Sequence, residues 1–235
     1  MSLTVIVPSK GRPLNAARLI EAVDQTAGDE LQDLVIAIDR DEPLEAEYRA
    51  AVPRDGDTTA WAWVRVRKLR AEPQRMGPVL NVAASTWVEC SDYVGFMGDD
   101  HLPRTPGWDL ELVTALNGRP GVAYGNDLHQ GERLPTACVI SSDIVRALGY
   151  MCPPAQMHLY LDDFWRRLGL LVGNLAYASD VVIEHLHPNA GKARWDEGYA
   201  ATNNADQYNA DRVAYEALDW NEVRCRLREA GIACD

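Results

Sequence analysis

Asp99 and Asp100 stand side by side in Gly98-Asp99-Asp100-His101, directly behind the apolar run Tyr93 to Met97. Two adjacent carboxylates at the mouth of a buried strand suit a hard divalent cation, Mg²⁺ or Mn²⁺, bridging to phosphate oxygens. A solvated turn with an acidic helix cap would use the same pair. Glu184-His185-Leu186-His187-Pro188 closes another apolar run. Alternation places His185 and His187 on one side of an extended chain, where either imidazole could complete a cation site with the Asp pair. Two structural histidines in a surface turn are the plainer alternative. Asp162-Asp163 falls near the start of a helical stretch. There a carboxylate is either a dipole partner or a general base reaching an acceptor hydroxyl. Arg65, Arg67, Lys68, Arg70 and Arg75 against Glu72 give residues 61–75 a net +4, the one concentrated basic stretch. It suits a nucleotide diphosphate or a polyanionic acceptor, or else a charge-protected edge strand. Trp108, Trp165 and Trp195 lie near these motifs and could stack on a sugar or base, or pack in the core.

Such groups need elements to position them. Leu3 to Val7 is a β-rich run stopped by Pro8, residues 8–13 turn, and Leu14 to Thr26 reads as a helix. Its apolar Ala16, Leu19, Ile20 and Val23 follow the helical 3,4 spacing. Leu34 to Ile38 follows as a buried strand ending at Asp39, which completes a βαβ opening with parallel strands. Strands are predicted over Trp61–Val66, Tyr93–Met97, Gly121–Gly125, Thr136–Ile140, Leu175–Ala178 and Val181–Glu184. Helices are predicted over Gly77–Cys90, Pro106–Leu116, Ser141–Leu148 with a capping-type start, Leu159–Leu168 closed by Gly169, and Asn203–Ala230. Ligands of open α/β sheets sit beyond the carboxyl ends of the strands. Residues 8–12, Asp39 to Asp41 and Asp99 to His101 are therefore expected to converge on one sheet edge.

Composition bounds the rest. The 235 residues are 47% hydrophobic and 25% charged, which excludes a disordered chain, a collagen and a coiled coil. The net charge of −12 argues against a surface that grips bare phosphate backbone throughout. The acid is segregated, with −7 over residues 29–57 and −5 over 196–235. No run approaches a membrane span and the opening residues lack a signal-peptide pattern, so a cytoplasmic protein without integral membrane association is expected. Five cysteines without a CxxC pair point to reduced, mostly buried thiols rather than to a zinc site. No GxGxxG, GxxxxGK[ST] or GxSxG occurs, so the corresponding dinucleotide, NTPase and hydrolase readings lack their motifs.

In order, these pieces resemble the nucleotide-sugar-dependent glycosyltransferases of GT-A fold, and within them the inverting family 2, over roughly residues 3–190. Thr4-Val-Ile-Val-Pro-Ser-Lys-Gly-Arg-Pro13 is similar to that family's opening strand and turn. Ile36-Ala-Ile-Asp39 is similar to its second strand, Gly77 to Ala84 to its Gly-rich helix start, and Tyr93 to His101 to its DxD-bearing strand. Thr136 to Gly149 resembles the segment leading to the acceptor side. Leu161 to Gly169 resembles the helix that supplies the base, and Val182 to His187 the late strand with a metal-binding His. The resemblance implies an α/β GT-A-like fold with a mostly parallel central sheet flanked by helices. It implies a catalytic domain over residues 1–190 and a helical tail over 191–235 packed on it. The implied cofactor is Mn²⁺ or Mg²⁺ on Asp99, Asp100 and His185 or His187. The implied donor is a UDP- or GDP-sugar held by Pro8, Ser9, Arg12, Asp39, Asp41, Arg75, Gly77, Asn81 and Asp99. Asp163 matches the base by register and Asp162 its neighbour. The metal motif departs from Asp-x-Asp and the base motif from Glu-Asp. The expected activity is metal-dependent transfer of a sugar to an acceptor hydroxyl with inversion. The acceptor could be a protein, a glycan or a modified nucleic acid. A nucleotidyltransferase is an alternative, although only Lys10, Gly11 and Arg12 approximate its phosphate loop; a non-catalytic GT-A-like binding protein is another.

Overall fold

The computed structural model describes residues 1–52, 63–68 and 75–235; Trp61, Arg70 and Glu72, named above, lie outside them. The strands are β1 (Leu3–Pro8), β2 (Leu31–Ile38), β3 (Trp63–Lys68), β4 (Tyr93–Phe96), β5 (His101–Pro103), β6 (Val122–Asn126), β7 (Cys138–Ser141) and β8 (Leu175–His185). The helices are α1 (Pro13–Thr26), α2 (Glu45–Ala50), α3 (Met76–Trp87), α4 (Trp108–Ala115), α5 (Ser142–Leu148), α6 (Leu161–Leu171), α7 (Glu197–Thr202), α8 (Ala205–Glu216) and α9 (Trp220–Glu229).

The strands form one eight-stranded sheet in the order β3-β2-β1-β4-β7-β6-β8-β5. Four of its pairings are parallel and three antiparallel, the latter introduced by β7 and β5. The half built from β3, β2, β1 and β4 is wholly parallel, as the βαβ opening requires. Strands β1 and β4 and the second half of β2 read as continuous apolar runs because both their faces are buried, whereas β3 at the edge alternates with Arg65, Arg67 and Lys68. Ile6, Val35, Val94 and Phe96 belong to a core shared with α3, α5 and α6, whereas Leu3, Val5, Leu34 and Ile36 belong to another shared with α1 and α4.

Several expectations need correction. Gly169 does not close its helix: α6 runs on to Leu171, and Gly169 is a buried contact point where an added Cβ would lie 2.7 Å from Leu175 Cδ1. Residues 175–184 form one strand rather than two, with a register shift against β6 between Gly125 and Asn126. The C-terminal stretch is broken into α8 and α9, the second capped by Asp219, whose carboxylate accepts from the Asn221 and Glu222 amides. Ser141 does not cap α5 through its side chain; its Oγ accepts the Gly121 amide at 3.1 Å. Trp108 and Trp165 are fully buried and cannot stack on a ligand, while Trp195 is 55% exposed. Of the five free cysteines only Cys138 and Cys152 are buried; Cys90 and Cys225 are exposed. Among the described residues no helix is long and apolar enough to cross a membrane.

Candidate active site

Three parallel strands deliver their C-terminal loops to one place. Behind β1, the Arg12 amide donates to Tyr48 Oη (2.8 Å), Tyr48 bonds Ser9 Oγ (2.8 Å), and Ser9 Oγ donates to Asp99 Oδ2 (2.6 Å). This relay ties the first loop to the Asp pair behind β4. Glu42 braces it by accepting the Gly11 amide at 3.1 Å. Behind β2, buried Asp39 accepts Lys10 Nζ at 2.8 Å, whereas Asp41 is exposed. Pro8, half-buried, ends β1 in register with Ala37. Burial, and next the charge of Asp100, push the Asp99 carboxyl up to about 6, against Ser9 and Arg12, which favour its ionised form.

Asp100 lies in the turn between β4 and β5. Gly98 makes that turn feasible, since a Cβ there would sit 2.5 Å from Asp100 Oδ1. β5 then pairs antiparallel with the end of β8, in a register that sets His101 opposite His185. Their rings stack at 4.1 Å between centroids. Asp100 Oδ1 is 3.2 Å from His101 Nδ1, and Asp100 Oδ2 is 3.5 Å from His185 Nε2. Asp100 thus has an imidazole on each oxygen. Burial raises its pKa, but the neighbouring imidazoles of His101 and His185 outweigh that and hold the carboxyl well below its ordinary range. On the far side of His185, Asp127 lies 3.8 Å from Nδ1. Asp127 is itself fixed by the amides of His129, Gln130 and Gly131 and by the Thr136 hydroxyl.

Asp100, His101 and His185 each turn a ligand atom into a space where all three lie within 4.8 Å of one another. A carboxylate with two imidazoles is a donor set suited to Mn²⁺. The donor set fits a cation: Asp100 sets its oxygens 3.2 Å from His101 Nδ1 and 3.5 Å from His185 Nε2, and buried His101 Nε2 has no hydrogen-bond partner among the described residues. His101 Nδ1 also accepts the Gly98 amide at 3.0 Å. Asp99 is turned away toward Ser9 and Arg12. His187 is spent differently: its Nδ1 accepts the Asn189 amide, and its ring stacks on His129 at 5.5 Å.

The remaining residues divide. Asp162 and Asp163 occupy the first turn of α6, whose Leu161, Phe164, Trp165 and Leu168 are buried at helical spacing. Burial and then the neighbouring Asp163 push the Asp162 carboxyl up to about 6, while His185 pulls it back. Asp163 is raised by burial and opposed by Arg166. Asp162 Oδ1 accepts the Asp163 amide at 3.1 Å, which with the helix amides offsets part of the rise. Asn81 is engaged entirely in structure: its Oδ1 accepts the Met151 and Cys152 amides and its Nδ2 donates to Cys152 O. Gly77 is a close-approach point, where a Cβ would meet Gln156 O at 2.4 Å. Arg75 reaches across to donate to Ala201 O at 3.0 Å.

The sequence reading passed over His101, Asp127, Glu42, Tyr48, Asp196 and Tyr199. His101 had a signal, its adjacency to Asp100 and the alternation through His101-Leu102-Pro103. The others had none, because their roles depend on contacts across long sequence separations.

The sequence matches no family model, and no curated protein matches it. Solved structures do match its fold. S. aureus TarS residues 1–349 in complex with UDP-GlcNAc aligns over 98% of this chain and 71% of its own, at TM-score 0.57 and 13% identity. Against a longer TarS structure this chain spans 43% of the length, at TM-score 0.58 and 13% identity. The mannosyltransferase PcManGT from Pyrobaculum calidifontis, in complex with GDP-Man and Mn²⁺, aligns over 98% of this chain and 75% of its own, at TM-score 0.55 and 12% identity. Glucosyl-3-phosphoglycerate synthase from Mycobacterium tuberculosis, with Mn²⁺, UDP-Glc and glycerol 3-phosphate, aligns over 93% and 82%, at TM-score 0.59 and 14% identity. The chain has the GT-A glycosyltransferase fold.

Proposed function

We propose that this chain is a metal-dependent glycosyltransferase that moves a sugar from a UDP- or GDP-sugar to an acceptor hydroxyl with inversion. The observation that carries the reading is the Asp100–His101–His185 cluster, set at the carboxyl edge of the parallel half-sheet beside Arg12 and Asp99. The three structural neighbours named above are similar in fold, and two were solved with Mn²⁺.

In this reading Asp100, His101 and His185 hold the cation. Bound there, Mn²⁺ or Mg²⁺ offsets the negative charge that develops on the departing diphosphate. Arg12 and Arg75 add positive charge at the same edge. Asp99, with Ser9, and Asp39 stand where the nucleoside would lie, and the 8–12 loop fixes their spacing. His187 borders the cluster as a further metal candidate. The acceptor hydroxyl gives its proton to α6. Register in the family points to Asp163; we assign its neighbour Asp162 as the base, because burial and the adjacent Asp163 hold its carboxyl at about 6. A single displacement with one base inverts the anomeric centre. Positioning and charge stabilisation supply most of the acceleration.

The test is a panel of UDP- and GDP-sugars incubated with Mn²⁺, scored for nucleoside diphosphate and, with an acceptor found, for product anomer by NMR. Mn²⁺-dependent release of nucleoside diphosphate supports the reading. Release of pyrophosphate from nucleoside triphosphate and sugar phosphate would replace it with a nucleotidyltransferase.

A further inference from the structure

The segment following β8 folds back over the candidate site and makes three polar ties to it. Tyr199, on α7, donates its hydroxyl to Asp100 Oδ2. Asp196, which caps α7 by accepting the Tyr199 amide, pairs with Arg12 Nη2 at 2.5 Å. Ala201 O accepts Arg75 Nη1 at 3.0 Å. The Arg12 guanidinium also lies over the Tyr199 ring, 4.4 Å from its centroid. Tyr199 is buried although it sits in an otherwise exposed stretch.

Each tie is made to a group that the donor complex would claim. The phenol proton sits on the same Asp100 oxygen that faces His185 Nε2, where a cation would be coordinated. The Asp196 carboxylate holds Arg12 as a phosphate would. We propose that residues 196–201 act as an internal mimic of the metal–diphosphate unit, a lid that occupies the site and must be displaced as donor and cation enter. Tyr199 substitutes for the cation on Asp100 and Asp196 for the diphosphate on Arg12. The proposal rests on the metal and donor reading above. Its chemistry is exchange without bond-making: the phenol keeps its proton, which burial and the Asp100 charge favour.

Two consequences separate this from a lid that closes on ligand. Binding should loosen α7 rather than order it, and removing the phenol should strengthen cation binding rather than weaken it. The experiment uses the full chain. Mn²⁺ affinity is measured by EPR of free Mn²⁺, and amide exchange over 198–203 by mass spectrometry, for wild type, Tyr199→Phe and Asp196→Asn. Asn retains the capping oxygen, so Asp196→Asn preserves α7 while removing the charge. Tyr199→Phe is expected to bind Mn²⁺ about tenfold tighter, since a hydrogen bond to a charged group no longer competes. Its 198–203 amides should exchange faster without any ligand. In the wild type, Mn²⁺ with UDP should speed exchange over 198–203, and Asp196→Asn should tighten UDP binding in the presence of Mn²⁺. Equal or weaker Mn²⁺ binding by Tyr199→Phe, or protection of 198–203 by Mn²⁺ and UDP, overturns the lid while leaving the metal site standing. If Mn²⁺ binds neither wild type nor Tyr199→Phe, the metal reading fails and the lid with it.

Discussion

Asp100 carries more of the site than any other residue, because its two oxygens face two imidazoles and a phenol at once. Asp100→Asn keeps the shape and removes the charge, and Mn²⁺ binding measured by EPR should fall by about a hundredfold or more. The α6 pair allows a sharper test. Asp162→Asn should lower kcat by about 10²- to 10⁴-fold, and Asp163→Asn by much less. A larger loss in Asp163→Asn would transfer the role to that residue. The sign of the pH effect follows from the raised carboxyl. Asp162 must be ionised to accept a proton, so kcat should fall with acid below about 6, along a limb that Asp162→Asn abolishes. The stability sign is opposite. A folded-state carboxyl raised above its unfolded value holds its proton more tightly when folded. Asp162 therefore contributes stability in acid that is lost as pH rises from about 4 through about 6. At pH 8 the folded protein keeps a desolvated charge there. Asp162→Asn should accordingly raise Tm by about 2–4 °C at pH 8 while it cuts turnover. Asp99, Asp100 and His185 could be singled out from residue type and strand-end position. His101 could have been, had imidazole been weighed beside the carboxylates. Tyr199 could not, because nothing local marks a tyrosine ninety-nine positions from its partner.

Elements place these residues by register, and register was only partly legible. The βαβ opening and α6 could be read because their apolar spacing matches their period: Ala16, Leu19, Ile20 and Val23 on α1, and Leu161, Phe164, Trp165 and Leu168 on α6, are all buried. β5 could not be read from its own residues, since its three gain their strand character only by pairing with β8. That short pairing is what sets His101 against His185. Gly169 misled for a related reason. A glycine reads as a stop, and Gly149 is one, with φ +77. Gly169 serves instead where two segments touch, as Gly77 does at the start of α3. Gly77→Ala would drive a Cβ to within 2.4 Å of Gln156 O, a backbone atom that cannot step aside. Thermal denaturation should show Tm lowered by several degrees, roughly the effect of 1–3 kcal/mol of overpacking. Gly149→Asn, at a left-handed helix end that tolerates Asn, should leave Tm almost unchanged.

At the scale of the whole molecule, two buried carboxylates do the same work in distant places. Asp109 on α4 accepts the amides of Gly28, Glu30 and Leu31, anchoring the entry to β2. Asp211 on α8 accepts those of Met157, His158 and Leu159, the stretch that leads into α6. Asp211→Ala strands three donors, and an unfolding titration should show a loss of about 3 kcal/mol or more. A drop in kcat should accompany it, with Mn²⁺ affinity preserved, because the α6 start loses its anchor while the cation cluster keeps its own. Neither carboxylate stands out in the sequence, where Asp211 is one of nine acids in a charged tail. Its meaning is set by the amides it meets, which lie over fifty positions earlier.

The packing of α9 has a consequence for the order of events during synthesis. Val223, Leu227 and Ile232 belong to the same core as Ile6 and Phe96, and the Asp235 amide donates to Leu171 O. During synthesis β1 thus waits for α9, about two hundred positions later in the chain, before the core they share is sealed. Nascent chains paused short of Val223 would present that open face to chaperones, and proteolysis of ribosome-bound intermediates should show protection arriving late and in one step.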